Sequence, residues 1–393
     1  MRVLLVHNHY QQPGGEDQVF REEGALLERF GHTVFRYVLH NDDVEGIGRA
    51  ALAARTLWSR PAYRDVERIV RAEGIEVVHV HNTLPLASPA VYWAARKAGA
   101  AVVQTLHNFR LLCPGATLFR DGRPCTECLG RLPLPAVRHA CYRGSRSATA
   151  AVAAMLTAHR ALGTWRRAVD RYIALTPFAR DLFVRGGLPA AKVVVKPNFL
   201  GEDPGVGKGG GGFVLFVGRL SPEKGVGTLI EAWRRYPGLP PLKVVGDGPL
   251  AADVQAAPVD WLGAQPREDV LALMRAADLL VFPSQWGEGM PMVLVEALAC
   301  GLPVVASDHG AMATMVDEEA GRRVPPGDPD ALAAAVRALM DDAPLRARLR
   351  GGARRCYEAH YTAAHNHDLL LQIYRDAFAE RYGVTVPVAA LAA

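Results

Sequence analysis

Two glutamates separated by seven residues lie in the segment FPSQWGEGMPMVLVEALACGLPVVAS, residues 282–307. The pattern predicts a strand that ends at Pro283, a loop that carries Glu288 and a helix that carries Glu296. Carboxylates accept hydrogen bonds from hydroxyl groups, so we expect the pair to contact two hydroxyl-bearing parts of one ligand. The structural alternative is that one glutamate caps the helix and the other is a solvated residue on it. The predicted order of strand, loop and helix is that of a ligand site, which favours binding.

The start of this predicted helix is suited to phosphate. Pro291 is predicted to be the first helical residue, where its missing N–H costs nothing, and Gly301 suits the end of the helix. The backbone N–H groups of Met292 and Val293 would then have no acceptor within the helix. Because the positive end of the helix dipole lies behind them, we expect this terminus to attract a phosphate group.

A basic loop, VGRLSPEKG at 217–225, follows the first predicted strand of the second half. Arg219 and Lys224 are placed to flank a diphosphate, the arginine as a bidentate donor and the lysine as a point charge. A basic loop is usually only solvated, but a phosphate-binding helix start on the same sheet strengthens the binding interpretation. Gly246 follows the next strand, where it allows close approach of backbone or forms a tight turn.

Short apolar runs alternate with helical patterns along most of the chain. Predicted strands cover 2–7, 33–38, 76–81, 101–107, 171–175 and 192–196, and then 213–218, 242–246, 259–263, 278–283 and 303–307. The glycine-rich stretch 201–212 separates the two series. Continuous apolar strands joined by helices predict parallel sheets covered on both faces.

We therefore expect an α/β fold of two Rossmann-like domains that face one another across a cleft. The predicted boundaries are 1–200 for the first domain and 201–361 for the second, with a C-terminal helix in 362–393 crossing back onto the first. In open α/β sheets ligands bind beyond the carboxyl ends of the strands. The residues that come directly after each strand are therefore the candidates for the site.

The two spaced glutamates, the GRLSPEKG loop and VVGDGP together resemble glycosyltransferase family 4, the retaining nucleotide-sugar transferases of GT-B fold. The similarity spans nearly the whole chain. It implies that Glu296 holds the ribose hydroxyls and that Glu288 contacts the transferred sugar. It also implies that Arg219 and Lys224 bind the diphosphate. Further donor contacts are implied at Gly246, Leu262, Met290, Met292 and Val293, with the nucleobase near Leu262. Pro291 departs from the family, because many members have glycine there.

The first half of the chain resembles the family too. PGGED at 13–17 is similar to the family's glycine loop, whose backbone approaches the donor phosphate, so Gly14 and Gly15 are implied to take that part. The alternative is a simple turn. His107 ends a predicted strand and is implied to touch the transferred sugar. Histidines in HNH at 7–9 and HVHN at 79–82 also end strands, so we expect a group of histidines on the acceptor side.

The chemistry that the resemblance implies needs no catalytic metal. The donor that the resemblance implies is a UDP- or GDP-linked hexose, and cleavage of its sugar–phosphate bond would develop negative charge on the leaving diphosphate. Arg219, Lys224 and the helix start would stabilise that charge. If configuration is retained, the acceptor attacks from the leaving-group face and its proton passes to a phosphate oxygen. No dedicated base is then required.

Four of the six cysteines are clustered, at Cys113, Cys125, Cys128 and Cys141, with spacing C-x11-C-x2-C-x12-C. A central C-x2-C with two outlying cysteines suits four-coordinate structural zinc. Free thiols and a disulfide remain open as alternatives. A similar cysteine-bearing insertion occurs in some polysaccharide-pathway members of the family. The acceptor implied is accordingly a lipid-linked or growing glycan.

Charge is concentrated in residues 131–185, where ten arginines accompany only Asp170 and Asp181. Such a stretch is either a solvated surface or a patch for anionic lipid. Nucleic acid is not expected, because no zinc-finger or RNA-binding signature accompanies the charge.

Half of the 393 residues are hydrophobic and 22% are charged, which excludes a wholly disordered protein. The first run, MRVLLVHNHYQQ, is predicted to be a strand and not a signal peptide. We expect a cytoplasmic protein, with the hypothesis of peripheral contact at the inner face of the membrane.

Other enzyme classes fit less well. The G-x-G-x-x-G match at Gly207, Gly209 and Gly212 precedes a strand, which contradicts a nicotinamide dehydrogenase, and no P-loop motif is present. A nucleotide-sugar 2-epimerase of GT-B fold remains an alternative, as does a non-catalytic sugar-nucleotide-binding protein. The presence of Glu288, Glu296, Arg219 and Lys224 argues against a non-catalytic binding protein.

Overall fold

The structure is a computed structural model that describes residues 1–11 and 14–383. The chain divides into two compact units. The first contains residues 1–117, 126–197 and the chain from Asn366 onward, and the second contains 118–125 and 198–365. Pro13 of the predicted glycine loop and residues 384–393 of the predicted last helix lie outside the described residues.

The first unit is built on a six-stranded parallel sheet with the order β2-β1-β3-β4-β7-β8. Its strands are β1 (Arg2–His9), β2 (Thr33–His40), β3 (Val77–Val80), β4 (Ala101–Leu106), β7 (Arg171–Ala174) and β8 (Val193–Val195). The intervening numbers belong to β5 (Phe119–Arg120) and β6 (Arg123–Pro124), which form a short antiparallel hairpin within 118–125. All six predicted strands of the first series are present.

Helices connect these strands and cover the sheet. They are α1 (Gly15–Arg29), α2 (Arg49–Leu57), α3 (Arg60–Ala72), α4 (Ala90–Ala98), α5 (Leu134–Arg138), α6 (Arg146–Ala161), α7 (Thr164–Arg167) and α8 (Pro177–Arg185). Short 3-10 turns occur at Asn41–Val44 and Ala190–Lys192. Thr176 illustrates how the sequence sets a helix start: its hydroxyl accepts from the Ala179 N–H at 3.2 Å, with Pro177 as the first helical residue.

The second unit repeats the plan with a six-stranded parallel sheet of order β11-β10-β9-β12-β13-β14. Its strands are β9 (Val214–Val217), β10 (Leu242–Val245), β11 (Asp260–Gly263), β12 (Leu279–Phe282), β13 (Val304–Ser307) and β14 (Gly321–Val324). Its helices are α9 (Val226–Arg235), α10 (Ala251–Gln255), α11 (Arg267–Ala276), α12 (Met292–Ala299), α13 (Met312–Met315), α14 (Pro329–Asp341) and α15 (Ala343–His360), with a 3-10 turn at Pro222–Lys224.

The last helix, α16 (Ala363–Tyr382), contributes to the core of the first unit. Leu370, Ile373 and Tyr374 pack in one buried cluster with residues of β1, β3, β4 and β7. A separate buried cluster in the second unit joins β9, β10, β12 and β13 to α9 and α14. The predicted α/β fold with two Rossmann-like domains is therefore confirmed. Among the described helices, none is both long and apolar enough to cross a lipid bilayer.

Candidate active site

The basic loop after β9 is packed closely against the end of β12. Gly225 has a φ of +74°, and a Cβ placed on it would lie 1.9 Å from the Pro283 carbonyl oxygen, so only glycine fits. The Gln285 N–H also donates to the Glu223 carbonyl at 2.8 Å. Two loops that are distant in sequence are thereby held side by side, which fixes where Lys224 points.

Lys224 and Glu288 form the central contact of the second unit's site. The Lys224 Nζ lies 2.6 Å from the Glu288 Oε1, and the Ser284 hydroxyl donates to the same oxygen at 2.9 Å. Glu288 is only 4% exposed, while the lysine ammonium also lies over the rings of Phe282 and Trp286. The sequence predicted both residues for the site, but it gave no sign that they pair with one another.

Arg219 lies in the same loop and is exposed to solvent. Its guanidinium is therefore accessible to an anion from solvent. With Lys224 it places two cationic groups at the carboxyl ends of β9 and β12, where a parallel sheet binds its ligands.

The predicted start of α12 needs one correction. We expected Pro291 to be the first helical residue, but it is the N-cap, with an extended ψ of 118°, and Met292 begins the helix. The Pro291 carbonyl accepts the first turn's bond from the Leu294 N–H at 3.1 Å. The N–H groups of Met292 and Val293 still have no acceptor within the helix, because they precede the first possible intrahelical bond. Their orientation therefore still suits an anion.

Glu296 lies on the second turn of α12 and accepts from Arg267 Nε at 3.1 Å. The Glu296 side chain is 13% exposed. Its partner Arg267, at the start of α11, holds the carboxylate in place. Arg267 is a site residue that the sequence interpretation missed. A cation at the start of a helix looks like an ordinary surface residue, and only the fold shows which carboxylate it orients.

Three further predicted donor contacts offer backbone groups. Gly246 approaches Gly218 so closely that a Cβ would lie 1.9 Å from the Gly218 carbonyl oxygen. Leu262 lies at a register shift, where Val244 pairs with Trp261 and Val245 pairs with Gly263. The bulge leaves Leu262 outside the regular ladder, and the Gln265 side chain donates to its carbonyl.

Met290 turns its side chain inward. It is 8% exposed, and its sulfur accepts from the Asn198 N–H at 3.0 Å, so only its backbone is available to a ligand. Of the nine predicted residues of the second unit, Leu262 lies within β11 and the other eight follow strands of the same sheet. Direct contact is seen between Lys224 and Glu288.

In the first unit, α1 begins at Gly15, so part of the predicted glycine loop is helical. Gly14 is the N-cap, and its N–H donates to the Asp17 carboxylate at 2.7 Å. Apart from its chain neighbours and the backbone of α1, no atom of the described residues lies within 4 Å of the position that a Cβ on Gly15 would take. Packing within the described protein does not explain the glycine, and its predicted contact with the donor phosphate stays a prediction.

A histidine chain leads inward from His107, which directly follows β4. Its Nε2 lies 2.9 Å from the His81 Nδ1, and the two rings stack at 5.1 Å. The His81 Nε2 lies 3.3 Å from the Glu23 Oε1, and Lys196 Nζ donates to the other oxygen of Glu23 at 3.0 Å. His79 also approaches Glu23, at 2.8 Å from the same Oε1.

The charges in this chain determine which nitrogen carries the hydrogen. Burial alone would raise the pKa of Glu23, but Lys196 and His79 hold it well below its usual value, so Glu23 is a carboxylate. Burial, and then repulsion from His79, lowers the pKa of His81 to about 4, so His81 is neutral at pH 7. The carboxylate therefore favours the His81 tautomer whose Nε2–H faces Glu23, at 3.3 Å and without hydrogen-bond geometry, and in this tautomer the Nδ1 accepts from His107.

His107 is consequently left with an unprotonated Nδ1. Burial, and then repulsion from His81, lowers its pKa well below the usual value, so it is neutral as well. In this tautomer His107 accepts a hydrogen bond from a hydroxyl and does not donate one through Nδ1. Glu23 was missed from the sequence, although a charged residue among the apolar positions of α1 beside Phe20 and Leu27 was a signal.

The histidines near β1 form a second group. The His7 Nε2 and His9 Nδ1 lie 2.7 Å and 2.9 Å from the Asp17 Oδ1. Burial lowers the pKa of His7 to about 4 despite this carboxylate. Asp17, at the start of α1, thus ties the end of β1 to the glycine segment.

Glu16 is a further acid beside this group, and it is half-buried. The Asn108 Nδ2 lies 3.5 Å from its Oε1, and burial raises the pKa of Glu16 to about 7. Such a carboxyl can exchange a proton near neutral pH, next to the residue that follows His107.

Comparisons with known proteins show the family. Residues 205–355 match the family model of glycosyl transferases group 1, and residues 14–198 match that of the glycosyl transferase 4-like domain. The chain is 38% identical over 374 residues to the phosphatidyl-myo-inositol mannosyltransferase of Mycolicibacterium smegmatis, a match that covers 88% of this chain and 86% of that protein. It is 31% identical over 322 residues to the 2-deoxystreptamine glucosyltransferase of Streptomyces kanamyceticus, covering 75% and 76%.

Solved structures show the same architecture. HepE of Anabaena in complex with UDP has a TM-score of 0.68 at 19% identity, covering 95% of this chain and 99% of that one. Sucrose-phosphate synthase from Thermosynechococcus elongatus has a TM-score of 0.71 at 19% identity, covering 96% and 99%. The fold is GT-B. The chain belongs to the glycosyltransferases of the family 4 type. Both sequence relatives are transferases, so the epimerase alternative is not favoured.

Proposed function

We propose that this glycosyltransferase transfers a hexose from a UDP- or GDP-linked donor to a glycan or lipid-linked acceptor, with retention and without a catalytic metal. The observation that carries the proposal is the contact of Lys224 with the buried Glu288 at 2.6 Å, on the sheet edge that also holds Arg219 and the start of α12. A diphosphate and a sugar hydroxyl would each find a complementary group there.

The donor would bind in the second unit through charge and backbone. Arg219, Lys224 and the N–H groups of Met292 and Val293 would contact the diphosphate, since these groups donate to anions. Glu296 would accept from the ribose hydroxyls, with Arg267 holding its carboxylate in place. The bulge at Leu262 would present its backbone to the nucleobase. The structure of HepE contains UDP, which supports a uridine nucleotide as one donor to test.

In the transfer step the bond between the sugar's anomeric carbon and the diphosphate oxygen breaks, and both electrons leave with the diphosphate. The acceptor oxygen forms the new bond from the same face, and its proton passes to an oxygen of the departing phosphate. Arg219, Lys224 and the α12 start would stabilise the negative charge that develops. Glu288 would orient a hydroxyl group of the transferred sugar, and the contact of His107 with a sugar hydroxyl that the resemblance implies stays a prediction.

Product analysis tests this proposal. We expect the chain, given UDP- or GDP-hexoses and candidate glycan acceptors, to release the nucleoside diphosphate and form a new glycoside with the donor's anomeric configuration. Excess EDTA should leave the rate unchanged. Formation of a 2-epimer without an acceptor would contradict transfer, while an inverted product would contradict retention. NMR of the anomeric proton distinguishes these results.

We also propose structural zinc at Cys113, Cys125, Cys128 and Cys141. Cys113 and Cys125 are thiols and form no disulfide. A Cβ on Gly115 would lie 3.7 Å from the Cys113 sulfur and 3.4 Å from the Cys141 Cβ, so Cys113 and Cys141 both lie close to Gly115. Zinc is expected at about one ion per chain and is expected to be lost in Cys128→Ser but kept in Cys356→Ser. Metal analysis of purified protein measures this, and a zinc-free wild type would contradict it.

A third part of the proposal concerns location. We propose a cytoplasmic enzyme whose residues 131–185 contact an anionic membrane at its inner face. The charge of the stretch supports this, because basic side chains near a surface are attracted to anionic lipid.

A further inference from the structure

Four arginines of the first unit surround a single cavity. Arg160, Arg166, Arg167 and Arg185 line a space of about 510 Å³ together with buried apolar residues, among them Leu112 and Trp165. The four come from α6, α7 and the end of α8. A cavity of this size accommodates a small charged group and not only a water molecule. We call it the arginine pocket.

The local backbone favours this concentration of charge. Gly163 has a φ of +69° at the start of α7, and a Cβ on it would lie 3.4 Å from the Arg167 Nε. The positive φ favours glycine at this turn, and the Arg167 side chain lies against it. Arg160 Nη1 donates to the Arg131 carbonyl at 2.9 Å, which joins a second segment of the basic stretch to the pocket.

The pocket's charge is uncompensated. Among the residues that the structure describes, no carboxylate lines the pocket, and none of its four arginines, all of them exposed, forms an ion pair. Like charges gathered in one place repel one another, so the arrangement disfavours the free state and favours an anion. A guanidinium presents a planar fork of donors, which suits the oxygens of a phosphate group.

Three exposed leucines lie close in sequence to residues of the pocket or to Arg131. Leu134, Leu132 and Leu162 are 67%, 56% and 55% exposed, and they are among the most exposed large hydrophobic side chains in the described chain. Leu162 lies between two residues that line the pocket, and Leu132 follows Arg131. Apolar side chains next to a cluster of arginines are typical of a surface that enters the headgroup layer of a membrane.

We propose that the arginine pocket binds the phosphate of an anionic phospholipid headgroup while the neighbouring leucines enter the interface. This inference rests on the membrane contact proposed above and names its ligand class and its residues. A freely dissolved phosphate would satisfy the arginines but not the leucines. The combination therefore favours phosphate at a lipid surface.

Vesicle flotation tests the inference with the full chain. Wild type should bind vesicles of phosphatidylcholine with phosphatidylglycerol, bind pure phosphatidylcholine far less, and lose binding as salt increases. The Arg166→Gln/Arg185→Gln variant should bind the anionic vesicles about tenfold less tightly. Arg337→Gln/Arg348→Gln removes the same charge from exposed positions of the second unit and should bind as wild type does.

A second variant separates the pocket from the leucines. Leu134→Ser/Leu162→Ser changes exposed side chains only, and it should weaken vesicle binding while preserving its dependence on salt. The inference is overturned if wild type ignores anionic lipid, if the pocket variant binds vesicles as the control does, or if the pocket variant loses binding to a short RNA instead.

Transfer to a soluble acceptor, measured on the same samples, keeps this inference distinct from the proposed function. A chain that transfers sugar but does not bind vesicles contradicts only the lipid pocket. A chain whose vesicle binding depends on Arg166 and Arg185 but which transfers no sugar contradicts only the proposed function.

Discussion

Glu288→Ala is expected to lower the rate of sugar transfer by about a hundredfold to a thousandfold at saturating donor. The change removes the carboxylate that would orient the transferred sugar and leaves Lys224 and Ser284 without their common acceptor. A displaced lysine would also hold the diphosphate less well. Because Lys224 is partly exposed and can be solvated, we expect folding to be preserved, with a change in unfolding free energy of about 1 kcal/mol.

Two matched variants show whether the loss belongs to the site. Glu288→Gln keeps the size of the side chain and an oxygen for Ser284 but removes the charge, so it should fall between alanine and wild type. Glu231→Ala removes an exposed carboxylate of α9 that pairs with Arg235 and should transfer at the wild-type rate. Steady-state kinetics with thermal unfolding as a check measures both. Wild-type turnover in a folded Glu288→Ala would rule out the assigned role.

Arg219→Gln/Lys224→Gln is expected to weaken binding of the nucleoside diphosphate by about a hundredfold or more, because each residue would supply a charge-assisted hydrogen bond. UMP or GMP should be affected less than UDP or GDP, since the two cations are assigned to the diphosphate and not to the base or ribose. Isothermal titration with both members of each pair measures this difference directly.

The control for this variant is Arg234→Gln/Arg348→Gln, which removes two exposed arginines of the same unit. It should bind the diphosphate as wild type does. If the control loses as much affinity, the effect comes from net charge and not from the loop. An unchanged diphosphate affinity in Arg219→Gln/Lys224→Gln would contradict the assignment of both residues.

The sequence predicted the strands well where they are buried on both faces. Such a strand is a continuous apolar run, as in LLVF at Leu279–Phe282, and turns or helices mark its ends. β14 escaped prediction because GRRV contains two arginines on an edge strand, so it lacks that run. Only the structure shows why β14 begins with Gly321: a Cβ on this residue would lie 2.0 Å from the Val304 carbonyl oxygen.

The candidate site residues could be proposed from the sequence where one motif carries several of them. Glu288, Glu296, Arg219 and Lys224 were all identified from local spacing and from their positions after the ends of strands. Contacts between distant residues could not be identified in this way. Lys196 and Glu23 are 173 positions apart, yet their bond helps to fix the tautomer of His107. Pairing across such a distance depends on strand order, which a single sequence does not specify.

The shift of Pro291 from first helical residue to N-cap has a local cause. Proline suits both positions by its fixed φ, and the choice between them depends on ψ, which is extended here. The amide groups predicted for phosphate are the same in either case. The correction therefore moves the helix boundary by one residue and leaves the proposed anion site in place.

The most direct measurement is a crystal structure of the chain with UDP or GDP bound. We expect the diphosphate at the N–H groups of Met292 and Val293, with Arg219 and Lys224 beside it and the ribose hydroxyls at Glu296. Well-ordered nucleotide at any other place, or a site that stays empty at saturating concentrations of both nucleotides, would contradict the proposed donor site.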